Sequence, residues 1–257
     1  MPSAPAAPAA PRASFFFAER PVTFPRSLAQ PVGQVAWTAC ALGVLGGLCV
    51  PRALALLGLL PSLSWLGAPP LHAYLVFWAL FHMLEFVVTA YWNETHLQSD
   101  SFLLQNGAEY VAAHTLGLLE FALESYVAPA WKRYTSLHVL GLLLIVYGQV
   151  LRSLAMVHAS TNFTHALAHT KSHDHVLVTT GVYAFARHPS YAGFFWWAIG
   201  TQVLLGNPVS LLVFVVALVR FFAHRIQVEE AALCDFFGDA YRAYRARVAA
   251  GVPFVIT

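Results

Sequence analysis

Charge is scarce in this chain: Asp, Glu, Lys and Arg together make up 10% of its 257 residues, against roughly 25% in an ordinary soluble domain. Hydrophobic residues fill 58% of it. A soluble domain near this length buries only about 75% of its surface on folding, so too much apolar area would face water, and lipid must solvate the chain. The net charge is only +2, with Lys and Arg scattered along the sequence, which excludes the basic patch of a nucleic-acid binder. Cysteine is rare as well. Cys40, Cys49 and Cys234 show no C-x-x-C spacing, and the first two lie in apolar runs, so neither a disulfide framework nor a thiolate zinc site is expected. The first fourteen residues are rich in Pro and Ala and lack an apolar h-region; they read as a disordered tail, leaving targeting to the first span. No Gly-x-Gly-x-x-Gly follows a strand pattern, so no Rossmann cofactor domain is expected.

What the sequence does have is long apolar runs. A span takes about 20 mostly apolar residues. Leu71–Trp92, Ser101–Val127, Thr135–His158 and Pro208–Ala223 fit, Val32–Val50 and Tyr191–Leu205 are shorter, and Ala53–Leu66, with Pro61, reads as a short span or a re-entrant piece. The expected fold is all-α: a polytopic integral membrane helical bundle of six to eight spans, with a tail over 1–31, transmembrane helices over 32–159 and a functional C-terminal region over 160–257. Glu85, Glu109, Glu120 and Glu124 fall inside spans, where a lipid-facing carboxylate costs a few kcal/mol, so they are expected to face the bundle or an interface. Gly43 with Gly47, and Gly193 with Gly200, mark thin helix faces that permit close packing.

Hydrophobicity collapses between Ser160 and Arg187, a segment too polar for lipid, and after Ala223 charged and aromatic residues alternate as in a helix at the membrane surface. These two polar segments flank a two-span hairpin and therefore emerge on one side. Between them lies Arg187-His188-Pro189-Ser190-Tyr191-Ala192-Gly193. Pro189 bars helical geometry at His188 and suits a first helical turn, which predicts a loop-to-helix junction whose backbone amides face an aqueous pocket. Arg225 and Glu229, four apart, share one helix face. The histidines His165, His169, His173 and His175 have no accompanying Cys or regular ligand partner, so no metal is expected.

The run His175 to Tyr183, the R-H-P-S-Y-x-G string, Gly200-Thr201-Gln202, Asn207-Pro208, and Arg225, Glu229 and Glu230 resemble isoprenylcysteine carboxyl methyltransferases in order and spacing. Asn162-Phe163-Thr164-His165 upstream and Phe236-Phe237-Gly238 with Tyr241 and Tyr244 downstream fit the same family. The resemblance implies an endoplasmic-reticulum enzyme whose active site faces the cytosol. Such enzymes use S-adenosylmethionine to methylate the α-carboxylate of farnesylated or geranylgeranylated C-termini after C-a-a-X processing. It assigns cofactor binding to His175, Val176, Leu177, Val178, Tyr183, His188, Pro189, Ser190, Tyr191 and Glu229, and substrate binding to Arg225, with Arg225 and Glu229 as the catalytic pair. Ala168 departs from the family, which often has Gln there.

The residue types agree with such chemistry. A carboxylate nucleophile is already ionised at neutral pH and needs no general base; the protein must align it and strip its water, a task a guanidinium fork suits. Phospholipid N-methyltransferases and NADPH-dependent sterol reductases share parts of the architecture, but the reductases typically carry Asn in place of Ser190 and lack the preceding Pro. A scaffold without catalysis leaves the convergence of Arg225, Glu229 and the polar loop unexplained. Five spans before the loop would put it across the membrane from Arg12, Arg20 and Arg26; a cytosolic site requires that Ala53–Leu66 does not cross, or that another crossing exists.

Overall fold

The computed structural model describes residues 32–56, 58, 68–165 and 175–255, all helix, turn or irregular chain. Among the described residues there are six long helices, α1 (Val32–Leu56), α2 (Pro69–Trp92), α3 (Ala108–Val127), α4 (Thr135–Ala159), α5 (Pro189–Leu205) and α6 (Pro208–Phe237), followed by the short α7 (Asp239–Arg245). Helices α1, α2, α4 and α6 are long and apolar enough to cross a membrane. With 20 and 17 residues, α3 and α5 are shorter, and α3 carries three glutamates.

Three boundaries differ from the sequence reading. Val32–Val50 and the start of Ala53–Leu66 form one helix that continues through Pro51, a residue that membrane-spanning helices tolerate; 59–66 lie outside the described residues. The Ser101–Val127 run becomes helical only at Ala108. Before it, a Gln98–Ser101 capping box closes a 3-10 turn, and Gly107 takes a positive φ of 87°. Finally, α6 does not break at Ala223 but runs to Phe237, so Arg225 and Glu229 stand on the span's own helix.

Hydrogen bonds fix which helix ends meet. Ser160 Oγ donates to the Trp92 carbonyl at 2.8 Å and Asn93 Nδ2 to that of Phe163 at 2.5 Å, so α2 and α4 end together. At the other end Lys132 Nζ donates to the carbonyls of Leu205 and Gly206 and to Asn207 Oδ1, and pairs with Glu124 at 2.6 Å. Glu120 accepts the Val209 and Ser210 amides at 2.8 and 2.6 Å, capping α6 across the bundle. Helices α2 to α6 therefore alternate in direction. Leu42 of α1 packs with Phe86 and Phe102, near the ends of α2 and of its following turn.

The closest helix pair is α4 against α5, through glycines on both. A Cβ on Gly148 would strike the Gly193 carbonyl and the Trp197 backbone, and one on Gly193 would strike the Arg152 and Gly148 backbones. The Gly193–Gly200 face thus packs as expected. Gly43 and Gly47, by contrast, have nothing within 4 Å of a built Cβ; among the described residues that pair makes no close helix contact. The main core lies around α5, with Phe81, Trp197 and Ile226 wholly enclosed.

Candidate active site

The α4–α5 connection, the start of α5 and the last turns of α6 meet at the end of the bundle where α2 and α4 finish. Gly181 makes the connection's tight turn with φ of 62°, and the His158 ring occupies the space a side chain there would need. Asn162 Oδ1 accepts the Val176 amide at 2.7 Å, tying the segment to the end of α4. His188 caps α5 outside helical geometry (φ −123°, ψ 58°) ahead of Pro189, as the Pro189 argument predicts.

The expected free amides at this junction are only partly free. Residues 245–252 fold back over it: the Arg187 and His188 amides donate to the carbonyls of Ala249 and Ala250 at 2.9 and 3.0 Å, and the Arg187 guanidinium reaches the Val248 carbonyl. What remains is the first turn of α5, where the Ser190 and Tyr191 amides have no acceptor four residues back within the helix. Beneath the junction, buried Glu230 pairs with Arg187 at 2.6 Å, His188 at 3.2 Å and Arg245 at 3.1 Å.

Two cavities open here. The first is lined by all ten residues assigned to the cofactor, His175, Val176, Leu177, Val178, Tyr183, His188, Pro189, Ser190, Tyr191 and Glu229, together with Asn162, Arg187, Leu233, Phe236 and Phe237. Its chemistry suits a polar ligand with an apolar ring. Glu229 is one-third exposed and offers a carboxylate, the first turn of α5 offers amides, and Leu233 and Phe236 offer an apolar wall. Tyr183, Tyr241 and Tyr244 also line it. Burial pushes the first two phenols well above their ordinary range and Tyr244 up to about 12, so all three are uncharged at neutral pH.

The second cavity, about 500 Å³, runs between α3, α5 and α6. Its walls are mostly apolar, with Ala113, Ala198, Phe214, Leu218 and Phe221 along its length, and its polar end holds Arg152, His165, Ser190, Tyr191 and Arg225. Phe163, Thr164, Ser190 and Tyr191 line both cavities, so the two meet at the start of α5. Of the aromatic residues on α5 and α6, Tyr191, Phe194, Phe214, Phe221 and Phe222 line the cavity. Phe195 and Trp197 are core, and Trp196 packs on Tyr147.

Tyr191 is the hinge of this meeting point. Its hydroxyl donates to Glu229 Oε2 at 2.6 Å and accepts from Arg225 Nε at 2.8 Å, while its ring stacks between His188 and Phe222. Arg225 Nη2 donates to the His165 carbonyl at 2.5 Å. Arg225 and Glu229 thus converge on one hydroxyl rather than pairing directly. The side edge of the guanidinium is spent on the protein, and among the described residues the Nη1 end makes no hydrogen bond.

Sequence reasoning missed Arg152, buried in α4, whose guanidinium grips Glu85 and donates to Ser190 Oγ at 3.0 Å. The signal was present: an arginine inside an apolar run is a functional candidate by default. Ala168, His169 and His173 lie outside the described residues.

The family model for isoprenylcysteine carboxyl methyltransferases matches residues 139–235. The protein-S-isoprenylcysteine O-methyltransferase of Saccharomyces cerevisiae is 42% identical over 245 residues, which is 93% of this chain and 98% of that protein. This chain belongs to the isoprenylcysteine carboxyl methyltransferase family. The human protein-S-isoprenylcysteine O-methyltransferase is 43% identical over 225 residues, covering 88% of this chain and 76% of its own length. The solved structure of the eukaryotic intramembrane Ras methyltransferase of the family superimposes with a TM-score of 0.71 at 41% identity, over 73% of this chain and 67% of that one. None of these relatives is named as a lipid N-methyltransferase or a sterol reductase, the two alternatives from the sequence.

Proposed function

We propose that this family member esterifies the C-terminal α-carboxylate of prenylated cysteine, with S-adenosylmethionine as methyl donor. The observation that carries the reading is the meeting of a polar cavity and a long apolar one at Ser190 and Tyr191, with the Arg225 guanidinium at the junction. When bound, S-adenosylmethionine supplies a methyl group made electrophilic by its sulfonium. Glu229, with one oxygen held by Tyr191, would pair with the cofactor's ammonium, and the Ser190 and Tyr191 amides would receive its carboxylate. Leu233, Phe236 and Phe237 would wall the adenine.

Arg225 holds the substrate carboxylate through its Nη1 end while Tyr191 and His165 fix its plane. No proton has to move, because the carboxylate arrives ionised; alignment and exclusion of water lower the barrier. Phe194, Phe221 and Phe222 enclose the start of the prenyl chain, whose transfer from lipid to an apolar cavity leaves each methylene, worth about 0.8 kcal/mol, out of water. Farnesyl and geranylgeranyl chains both belong to this class.

The same reading sets the topology: six spans, α1 to α6, in the endoplasmic-reticulum membrane. Four precede the loop, so the loop, the N-terminus and the end of α6 share the cytosolic side, where a polar cofactor made in the cytosol has access. Purified protein in lipid nanodiscs, given radiolabelled cofactor and a farnesylated cysteine analogue, should form a base-labile methyl ester. Label on phosphatidylethanolamine instead, or on the analogue without its prenyl group, would overturn the assignment.

A further inference from the structure

Glu85 stands in the middle of α2 with its carboxylate wholly buried, outside the set of groups that touch either proposed ligand. Both its oxygens are engaged. Arg152 Nε donates to Oε1, and Oε2 receives Arg152 Nη2 at 2.9 Å and His165 Nε2 at 3.0 Å. Each partner leads to a different half of the site. Arg152 Nη1 donates to Ser190 Oγ at 3.0 Å, at the wall both cavities share. The carbonyl of His165 is the acceptor that orients Arg225.

We propose that Glu85 is a positioning residue for methyl transfer, holding Ser190 through Arg152 and Arg225 through His165. The proposal rests on the prenylcysteine reading of the site. One carboxylate links α2, the end of α4, the start of α5 and α6, and a reaction without acid or base catalysis depends wholly on such alignment. Glu85 also neutralises Arg152, whose guanidinium lies 5.6 and 5.5 Å from the Phe81 and Phe194 ring centroids. Arg225 is thereby left as the cation that receives the substrate carboxylate.

A plain staple between α2 and α4 would make a different prediction, because it has no use for His165. That side chain is about a quarter exposed and can be replaced with little effect on the buried fold. In nanodiscs, with a farnesylated cysteine analogue, His165→Leu should lower kcat about tenfold. The KM for the cofactor should stay within about twofold, and the melting temperature should not change. His165→Gln keeps a donor toward Glu85 and should recover most of the loss. Glu85→Gln should lose a similar factor, and Glu85→Gln with His165→Leu should lose no more than the worse single variant, as expected for groups acting in series. If Glu85→Gln fails to accumulate, the two His165 variants decide alone. Wild-type turnover in His165→Leu, equal loss in His165→Gln, or losses that multiply in the double variant would overturn the proposal. An unsubstituted chain inert toward farnesylcysteine would overturn the prenylcysteine reading and this proposal together.

Discussion

Tyr191 joins Arg225 and Glu229 through a single oxygen. Removing that oxygen alone is the sharpest test at the scale of one residue. Tyr191→Phe keeps the stacking on His188 and Phe222, and two charge-assisted hydrogen bonds at about 1.5–3 kcal/mol each are at stake; kcat/KM should drop between tenfold and a hundredfold with no change in melting temperature. Arg225→Ala should abolish esterification, and Arg225→Lys should be nearly as poor, because one ammonium cannot reach Tyr191, the His165 carbonyl and a substrate carboxylate in the guanidinium's plane. Substrate titrations at saturating cofactor measure both. Glu229→Gln should weaken cofactor binding about tenfold by calorimetry. What the motif spacing made legible is a grouping: the ten residues that the resemblance assigns to the cofactor line one cavity. The pairing of Arg152 with Glu85 was not legible, since the two lie 67 residues apart and only the fold brings them together.

Among the elements, the α4–α5 pair bears most directly on the site, because Ser190 stands in the first turn of α5 and the depth of α5 against α4 sets where that turn sits. Gly148→Leu would drive a side chain into the Gly193 carbonyl and the Trp197 backbone, an overpacking that costs about 1–3 kcal/mol or more. Lower yield of folded protein and lower cofactor affinity should appear together, whereas Gly47→Leu, on a face with nothing within 4 Å, should leave both intact. Hydropathy located every long helix among the described residues and most of their ends, but missed the end of α1, the start of α3 and the end of α6. Apolar residues continue past the start of α3, where Phe102 is buried against Phe86 in a turn, and polar ones begin before α6 stops, because Arg225 and Glu229 face a site rather than open water. A hydropathy run reports burial, and here burial and helix do not share boundaries.

At the scale of the whole molecule, the described residues hold four long helices before the loop, and the proposed six-span topology counts each of them as a crossing, which puts the loop, the N-terminus and the end of α6 on one side. An acceptor tag for N-glycosylation inserted after Lys171, and separately after Thr257, should acquire no glycan in microsomes and should remain open to cytosolic protease. A glycan on either in an active enzyme would reverse the orientation. One more property follows from the segment that folds back onto Arg187 and His188. A nascent chain halted after α6 already holds the loop, the junction, Arg225 and Glu229, yet lacks the carbonyls of Val248, Ala249 and Ala250 that anchor the junction. Anchoring of the junction therefore comes last in the order of synthesis, after every described helix has already been made.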